Sequence, residues 1–306
     1  MKYFLTKLLV FSLILLSMLI GFLLLNRYFA NFKMKKSSPI LIVGHSHSEC
    51  AYNDSLINDV ANFSQSGESY FYTYFKTKKL IEKNPEIQTI LIEFSNNQIN
   101  INMNDWIWAE KYISYRFPKY GSFMNINSYL ILLEQNPKSF SSSTRILIKN
   151  CIKNTFTGYE FQEDIGGYFY LERDKTDSLV TNFPTISKLK NRKQELSEYN
   201  IEYLRKTVNY LMSKNKKVFL IRSPLHKMYE GYSNEEQFQQ ILISKFSDVE
   251  FLDFSQFPLS NSEFGDLEHL NHKGATKFSH WFNILLTNGL LEKNNKQELI
   301  EKKMIE

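Results

Sequence analysis

The sequence predicts an α/β protein, a three-layer α/β/α sandwich built on a parallel sheet and preceded by one N-terminal transmembrane helix. Two observations predict it. Short apolar runs alternate with helical segments along most of the chain, a pattern typical of parallel sheets with helices on both faces. The first apolar segment is longer than the others and uncharged. With 43% hydrophobic and 23% charged residues, the composition excludes disordered and collagen-like classes.

The first apolar segment covers residues 8–25, close to the length of about 20 residues that crosses the hydrocarbon core of a bilayer. Lys2 and Lys7 precede it, as in a signal peptide. However, the run exceeds a usual signal-peptide core, and no A-x-A-like cleavage site follows. We therefore expect an uncleaved anchor and linker over residues 1–36.

The net charge of +5 is unevenly distributed. Six cations precede the first acidic residue, Glu49, and the remaining 31 cations face 32 acidic residues. The body of the protein is therefore nearly neutral, which excludes a nucleic-acid-binding face. The cations that follow the apolar segment favour a cytoplasmic body by the positive-inside rule, a weak guide when a long domain follows. Charge alone thus leaves the membrane orientation open.

The rest of the chain predicts one domain over residues 37–290 and a charged tail over residues 291–306, which is expected to be a solvated or frayed helix. An aromatic-rich stretch at about 99–191 interrupts the alternation and predicts an insertion, either a cap over a cleft or a small unit with its own aromatic core. Strands are expected at 40–43, 60–63, 89–94, 218–221 and 249–254, and helices at 70–83, 195–214, 235–246 and 274–286.

The two cysteines, Cys50 and Cys151, could pair in an oxidising compartment, but spacing cannot show that they approach each other. The sequence favours two unpaired, buried thiols. Cys50 is expected to be a packing residue, although it lies one helical turn after Ser46, a candidate nucleophile.

Candidate chemical groups follow the predicted strands. Ser46 follows the first strand, Gly67 the second and Asn96 the third, and Asp266 and His269 form Asp-x-x-His before the last helix. In parallel sheets the carboxyl ends of the strands form the ligand-binding edge. A serine hydroxyl needs a base such as imidazole, and a carboxylate can orient that imidazole. The backbone N–H groups of Ser46 and Gly67 and the amide of Asn96 could stabilise an oxyanion.

These residues, in this order, resemble the SGNH (GDSL-like) hydrolase superfamily, with its G-D-S, glycine, G-x-N-D and D-x-x-H blocks. The similarity spans residues 40–286 apart from the insertion. It implies an SGNH-hydrolase-like fold with Ser46 as nucleophile, His269 as base and Asp266 as its orienting acid. It also implies an oxyanion hole made by Ser46, Gly67 and Asn96.

Three positions depart from the family pattern. His45 stands where the family has aspartate, Phe94 replaces the glycine of the third block, and Asn97 replaces its aspartate. These departures motivate a second hypothesis, a catalytically silent envelope protein that binds acylated glycan or a membrane partner through the same cleft.

The whole layout resembles the membrane-anchored branches of this superfamily, which transfer D-alanine to teichoic acids or acetyl groups to exported polysaccharides. The resemblance implies a serine esterase or O-acyltransferase without a cofactor, acting on an acylated glycan or lipid-linked envelope substrate. It also implies a single-pass protein of the cell membrane whose catalytic domain is extracytoplasmic.

Further residues are candidates for substrate contact or metal binding. His47, Asn97 and His226 follow predicted strands and are expected to contact substrate. His45 and His47 form His-x-His, which also occurs in metal-dependent hydrolases. A metal hydrolase, with ligands added from His226, His272 or Asp266, is therefore a third hypothesis; the expected serine mechanism uses no metal.

Overall fold

The computed structural model describes residues 1–161, 165–182 and 195–305. The chain divides into two compact units. The first unit consists of Met1–Lys33 and Asp105–Asp164, and the second of Met34–Asn104 and Ile165–Glu306.

The second unit contains a five-stranded sheet in the order β2-β1-β3-β4-β5, in which every neighbouring pair is parallel. The predicted α/β class and parallel sheet are confirmed, because each predicted apolar run forms a strand. The strands are β1 (Ile40–Val43), β2 (Val60–Asn62), β3 (Thr89–Glu93), β4 (Lys217–Arg222) and β5 (Glu250–Asp253).

The α-helices within the described residues are numbered in chain order. They are α1 (Lys2–Phe29), α2 (Ser46–Ala51), α3 (Tyr70–Lys83), α4 (Asp105–Trp108), α5 (Glu110–Tyr120), α6 (Ile126–Gln135), α7 (Pro137–Thr157), α8 (Thr176–Asn182), α9 (Glu198–Ser213), α10 (Glu235–Lys245), α11 (His272–Thr287) and α12 (Lys296–Ile305).

Helices cover both faces of the sheet. One face presents Ile42, Leu91 and Leu252 to a core that includes Phe278 and Phe282 of α11. On the other face α3 packs against α9, and α9 against β4. The alternation of side chains along each strand supplies apolar groups to both faces, as expected for a buried parallel sheet.

The C-terminal residues differ from the expected solvated tail. Ile300 of α12 is fully buried in the same core, and Leu299 and Met304 pack partly against it. The Lys296 ammonium lies 2.8 Å from the Glu250 carboxylate of β5. Ile300 and Met304 lie four residues apart and so share one helix face, which the surrounding charges hide in the sequence.

The first unit joins α1 to part of the aromatic-rich insertion. The carboxyl-terminal end of α1 packs against α7 and the short helical turn Gly121–Phe123. The amide nitrogen of Asn26 donates to Ser122 Oγ at 2.7 Å, and the rings of Phe32 and Phe161 stack with centroids 5.0 Å apart. Helix α1 is long and apolar enough to cross a membrane.

The rest of the insertion predicted over residues 99–191 belongs to the second unit. The N–H of Gly167 donates to Ser64 O at 3.0 Å, that of Phe169 to Glu49 O at 2.9 Å, and that of His272 to Leu171 O at 2.9 Å. These bonds tie the segment after residue 165 to the loop after β2, to α2 and to the start of α11. Residues 162–164 and 183–191 of the predicted insertion lie outside the described residues.

Candidate active site

Ser46 is placed by the tight turn that follows β1. A Cβ atom at Gly44 would lie 2.4 Å from Glu93 Cβ of β3, so glycine is needed where the two strands end side by side. Helix α2 then begins at Ser46, and its preceding residue His45 caps it, with Nδ1 accepting the N–H of His47 at 3.4 Å. Ser46 itself is partly exposed.

His269 and Asp266 lie together in the turn before α11. The N–H of Gly265 donates to His269 O at 2.8 Å and closes the turn. Asp266 Oδ1 accepts the N–H groups of Glu268 and His269 at 2.8 and 2.9 Å. Asn271 then caps α11, with Oδ1 accepting the two N–H groups of Lys273 and Gly274. The Asp-x-x-His spacing therefore forms a locally closed structure.

The structure brings Ser46, His269 and Asp266 into one hydrogen-bonded chain. His269 Nε2 lies 2.8 Å from Ser46 Oγ, and His269 Nδ1 lies 2.9 Å from Asp266 Oδ1. Burial alone would raise the pKa of Asp266, but the His269 hydrogen bond and the nearby Arg173 charge lower it to about 2. Ionised Asp266 can only accept, so Nδ1 of His269 carries the hydrogen and Nε2 accepts the serine hydroxyl.

Arg173 is a site residue that the sequence analysis missed. Its guanidinium forms an ion pair and hydrogen bond with Asp266 Oδ2, the oxygen that the backbone amides leave free. Arg173 was missed because it follows a stretch without helical or strand periodicity. It also lies 93 positions before its partner, Asp266, in the sequence. The glycine pair Gly166-Gly167, typical of a close backbone approach, is the one local signal before it.

Asn96 lies after β3 as predicted, but its side-chain amide is bonded to other residues of the protein. Its nitrogen donates to Glu235 Oε2 at 2.6 Å and to Asn234 Oδ1 at 3.3 Å, while its oxygen accepts from Arg222 at 3.0 Å. Both amide hydrogens are therefore used within a buried polar network. The physical reason is the buried Arg222, which needs acceptors around its guanidinium.

Gly67 and Asn97 retain hydrogen-bond donors. Gly67 has φ +66°, a conformation that glycine adopts without strain, in the turn after β2. Its N–H and that of Ser46 form no hydrogen bond with another described residue. Asn97 Oδ1 accepts from Ser95 Oγ at 3.1 Å, while no described residue accepts from the Asn97 amide nitrogen. Asn97 is also partly exposed, unlike Asn96.

His45 and His47 are linked through Ser95. The Ser95 hydroxyl lies 3.2 Å from His45 Nε2 and 3.1 Å from His47 Nδ1. Burial lowers the pKa of both imidazoles, which favours their neutral forms. The His47 ring centroid lies 5.4 Å from that of His269, and His47 Nε2 lies 3.6 Å from the Glu268 carboxylate. His47 thus lies beside the candidate base but is almost fully buried.

Among the described residues, two groups of side chains could hold a metal ion. The ligand atoms of His45, His47 and Glu93 lie within 4.8 Å of one another, as do those of His47, Glu268 and His269. Burial raises the pKa of Glu93 to about 8, and its carboxyl group contacts the N–H and Oγ of Ser223. A proton on Glu93 at neutral pH weakens it as a ligand.

His226 contacts the loop that contains Asp266, on both sides of that residue. Its backbone N–H donates to Leu267 O at 3.3 Å, and its Nε2 lies 3.0 Å from Asn261 Oδ1. With 3% of its surface exposed, His226 supports this loop through these bonds.

Both cysteines are buried and unpaired. Burial raises the pKa of Cys50 to about 12 and that of Cys151 to about 11, so both remain neutral thiols at physiological pH. Cys50 is therefore a packing residue next to the serine.

Comparisons with known proteins concern mainly the fold. The chain is similar to the structure of a provisionally assigned platelet activating factor from Streptococcus pneumonia (11% identity, TM-score 0.39, 90% of this chain and 95% of that chain). It is similar to a provisionally assigned acylhydrolase from Bacteroides fragilis (10% identity, TM-score 0.37, 91% of this chain and 93% of that chain). It is also similar to a GDSL-like lipase from Bacteroides thetaiotaomicron (10% identity, TM-score 0.38, 93% of this chain and 98% of that chain).

One protein-family model, which carries no functional description, matches residues 155–291. No curated protein matches the chain. At such low identities and TM-scores the three structural similarities assign no chemistry to Ser46. The parallel sheet, the serine after β1 and the Asp-x-x-His turn before α11 are arranged as the sequence resemblance to SGNH hydrolases implies.

Proposed function

We propose that this protein is a serine-dependent acyl-ester hydrolase or O-acyltransferase that works through an acyl-Ser46 intermediate. The observation that carries the proposal is the hydrogen-bonded chain from Ser46 through His269 to an ionised Asp266. A serine hydroxyl that points at an unprotonated imidazole nitrogen is the arrangement that activates serine for attack on a carbonyl carbon.

In the first half-reaction Ser46 Oγ attacks the ester carbonyl while its proton passes to His269 Nε2. The imidazolium formed is stabilised by Asp266, which stays ionised. The tetrahedral intermediate collapses when its C–O bond to the leaving alcohol breaks and His269 returns the proton to that oxygen. The products of this step are the free alcohol and an acyl-serine ester.

The oxyanion hole is proposed to use three donors. The N–H groups of Ser46 and Gly67 make no hydrogen bond with other described residues, and the Asn97 amide nitrogen is also unused there. We assign the side-chain donor to Asn97, since both amide hydrogens of Asn96 are already engaged. Donors of this kind stabilise the charge that develops in the tetrahedral intermediate.

In the second half-reaction a hydroxyl oxygen attacks the carbonyl carbon of the acyl-serine and gives its proton to His269 Nε2. The bond from that carbon to Ser46 Oγ then breaks, and His269 returns the proton to Ser46 Oγ. Water as the acceptor releases a carboxylic acid, whereas a sugar or lipid hydroxyl yields a new ester. Both outcomes use the same triad, and they differ in how the acceptor binds and how water is kept out.

The substrate is proposed to be an acylated glycan or lipid-linked molecule of the cell envelope. Support comes from α1, which is long and apolar enough to anchor the chain beside such substrates. We place the catalytic domain on the outer side of the membrane, because the anchored layout resembles that of extracytoplasmic acyltransferases.

The test is fluorophosphonate labelling and p-nitrophenyl acetate turnover by the full-length chain in lipid nanodiscs. We expect the parent chain to be labelled and active, and Ser46→Ala to lose both properties. Ser55→Ala is the matched control, because Ser55 is an exposed nearby serine whose hydroxyl donates to Asn53.

Three results would contradict the proposal. Turnover that Ser46→Ala retains would exclude acyl-Ser46. Loss of turnover on chelation, with fluorophosphonate labelling unaffected, would favour a metal site built on His45, His47 and Glu93. Absence of both labelling and turnover in the folded parent chain would favour the silent binding protein.

A further inference from the structure

Packing within the first unit determines how deep its other helices would lie in a membrane that the apolar run of α1 crosses. Residues 8–25 are uncharged, and at about 1.5 Å per residue they span about 27 Å, close to the thickness of a bilayer core. If this run crosses the membrane as proposed above, Asn26 lies at the headgroup level. The partners of Asn26, Ser122 and Asn154, then lie at that level too.

The same unit covers part of the apolar run. The side chains of residues 3–18 are exposed, whereas Leu19, Phe22 and Leu23 are partly covered. Helix α7 and the turn Gly121–Phe123 are the elements that pack against α1. If the run crosses a bilayer, α7 and the turn Gly121–Phe123 therefore lie beside its last two turns, at the end of the span nearest the headgroups.

Helix α6 carries an exposed apolar face. Ile126, Leu130 and Leu133 are 70%, 53% and 45% exposed. Their spacing of four and three residues places all three on one side of the helix. Such a face is typical of helices that lie in a membrane interface with their apolar side among the acyl chains.

Helix α7 carries an exposed cationic stripe, defined by Lys138, Arg145, Lys149 and Lys153. Their spacing of seven, four and four residues places them on one helix face, and α7 contains no acidic residue. Within the described ranges none of the four forms an ion pair. A stripe of unpaired cations complements the charge of anionic lipid headgroups.

We propose that α6 and α7 form a membrane-contacting surface, with the apolar face of α6 inserted at the interface and the cationic stripe of α7 bound to anionic headgroups. The inference rests on the proposed anchoring by α1. The occupant to which it commits is a bilayer that contains anionic lipid. The continuity of these helices with the anchor and the charge of the stripe both favour that occupant.

The test uses single-cysteine variants of the full-length chain, labelled with the environment-sensitive dye NBD and reconstituted in nanodiscs. The dye at Leu130→Cys reports the α6 face, and at Leu16→Cys it reports the anchor. Ile243→Cys on α10, which is 72% exposed, is the matched control for an exposed apolar position in the second unit. We expect little background labelling of the native cysteines, because Cys50 and Cys151 are buried.

We expect NBD at position 130 to be quenched by doxyl-labelled lipid about twofold more than at position 243, and to be quenched more in phosphatidylglycerol than in phosphatidylcholine discs. Arg145→Glu with Lys149→Glu should remove the dependence on phosphatidylglycerol. A lipid-quenched label at 16 with a solvent-exposed label at 130 would overturn this inference and leave the anchor intact.

Other outcomes are equally decisive. A blue-shifted but unquenched label at 130 would indicate a protein contact and overturn the inference. If quenching at position 130 depended neither on phosphatidylglycerol nor on the two charge reversals, the role of the cationic stripe would be overturned. Solvent-exposed labels at both 16 and 130 would refute the anchoring itself.

Discussion

Asp266 is bonded on both carboxylate oxygens. Oδ1 accepts from His269 Nδ1 and from two backbone amides, and Oδ2 accepts from Arg173. His269 Nδ1 lies 2.9 Å from Oδ1 and 3.1 Å from Oδ2, whereas the two backbone amides bind Oδ1 only. The guanidinium therefore holds the second edge and adds a positive charge that favours ionised Asp266.

Arg173→Gln is expected to lower kcat roughly tenfold, which corresponds to about 1.4 kcal/mol of transition-state stabilisation. The pKa of Asp266 should rise, because a charge that lowers it is lost. The acidic limb of the kcat/KM profile should then move to higher pH. Arg205→Gln is the control, since Arg205 pairs with Asp248 at the surface. An unshifted pH profile would show that Arg173 does not act on Asp266.

The neighbouring amides Asn96 and Asn97 are expected to respond differently to truncation. Asn97→Ala should lower kcat about a hundredfold with little change in stability, because one oxyanion donor is lost. Asn96→Ala should instead cost about 1–3 kcal/mol of unfolding free energy, since Arg222 and Glu235 lose a buried partner. Initial rates and chemical denaturation of both variants measure the two effects. The reverse pattern would return the oxyanion role to Asn96.

Glu93 is expected to make folding stability depend on pH. Its pKa is raised from 4.5 to about 8 by burial, so the folded state holds a proton that the unfolded state releases above about pH 4.5. The contribution of Glu93 is therefore fully present below that pH and is lost as the pH rises through about 8. Glu93→Gln should flatten the decline in melting temperature between pH 5 and pH 8. Parallel curves for the two proteins would refute this assignment.

At the level of single residues, local motifs could be predicted and long-range partners could not. Asp266 and His269 lie within one turn, and Ser46 directly follows an apolar strand, so their placement follows from short patterns. Arg173 and the network around Asn96 depend on partners 93 and 126 positions away. Pairings at such separation are set by tertiary packing, which no local periodicity encodes.

Among the elements, the sheet and its flanking helices could be predicted because their apolar periodicity is strong. The prediction for α12 was wrong because its core-facing residues are few and its surface charges are many. Two residues of α12 are buried, Lys296 and Ile300. Ile300 is its fully buried apolar residue, whereas Ile305 on the same helix is 89% exposed.

Ile300→Ala is expected to lower the free energy of unfolding by about 2–5 kcal/mol, because it leaves a cavity against the core beside β5. Ile305→Ala, the same substitution on the exposed end of α12, should change stability by less than about 0.5 kcal/mol. Urea denaturation of the two variants compares them directly. Equal effects would mean that α12 contributes nothing to the core.

At the scale of the whole molecule, the N-terminal helix is part of a folded unit. Asn26 has two polar partners in the insertion, and Phe32 is fully buried against Phe161. Removing α1 would therefore leave apolar and polar groups of the insertion without their partners. The Ser46 site, in contrast, is built wholly from residues of the second unit.

Deletion of residues 1–33 is expected to increase proteolysis within residues 105–161 at least tenfold, since exposed Phe161 and unpaired Asn154 loosen that unit. Fluorophosphonate labelling at Ser46 should persist. Deletion of residues 1–7, which lie in the exposed part of α1, is the control and should leave proteolysis unchanged. Equal protease resistance of all three chains would show that the insertion folds without α1.

Because only its carboxyl-terminal end packs against protein, the two parts of α1 should differ in the substitutions that they tolerate. If α1 spans a bilayer as proposed, any sufficiently apolar side chain suits residues 3–18, so exchanges among leucine, isoleucine, valine and phenylalanine should be nearly neutral there. From Leu19 to Asn26 the helix must also fit a protein surface, with a buried amide at its end. A generic hydrophobic anchor would keep the chain at the membrane but would lose the shape and the hydrogen bonds that the last two turns provide.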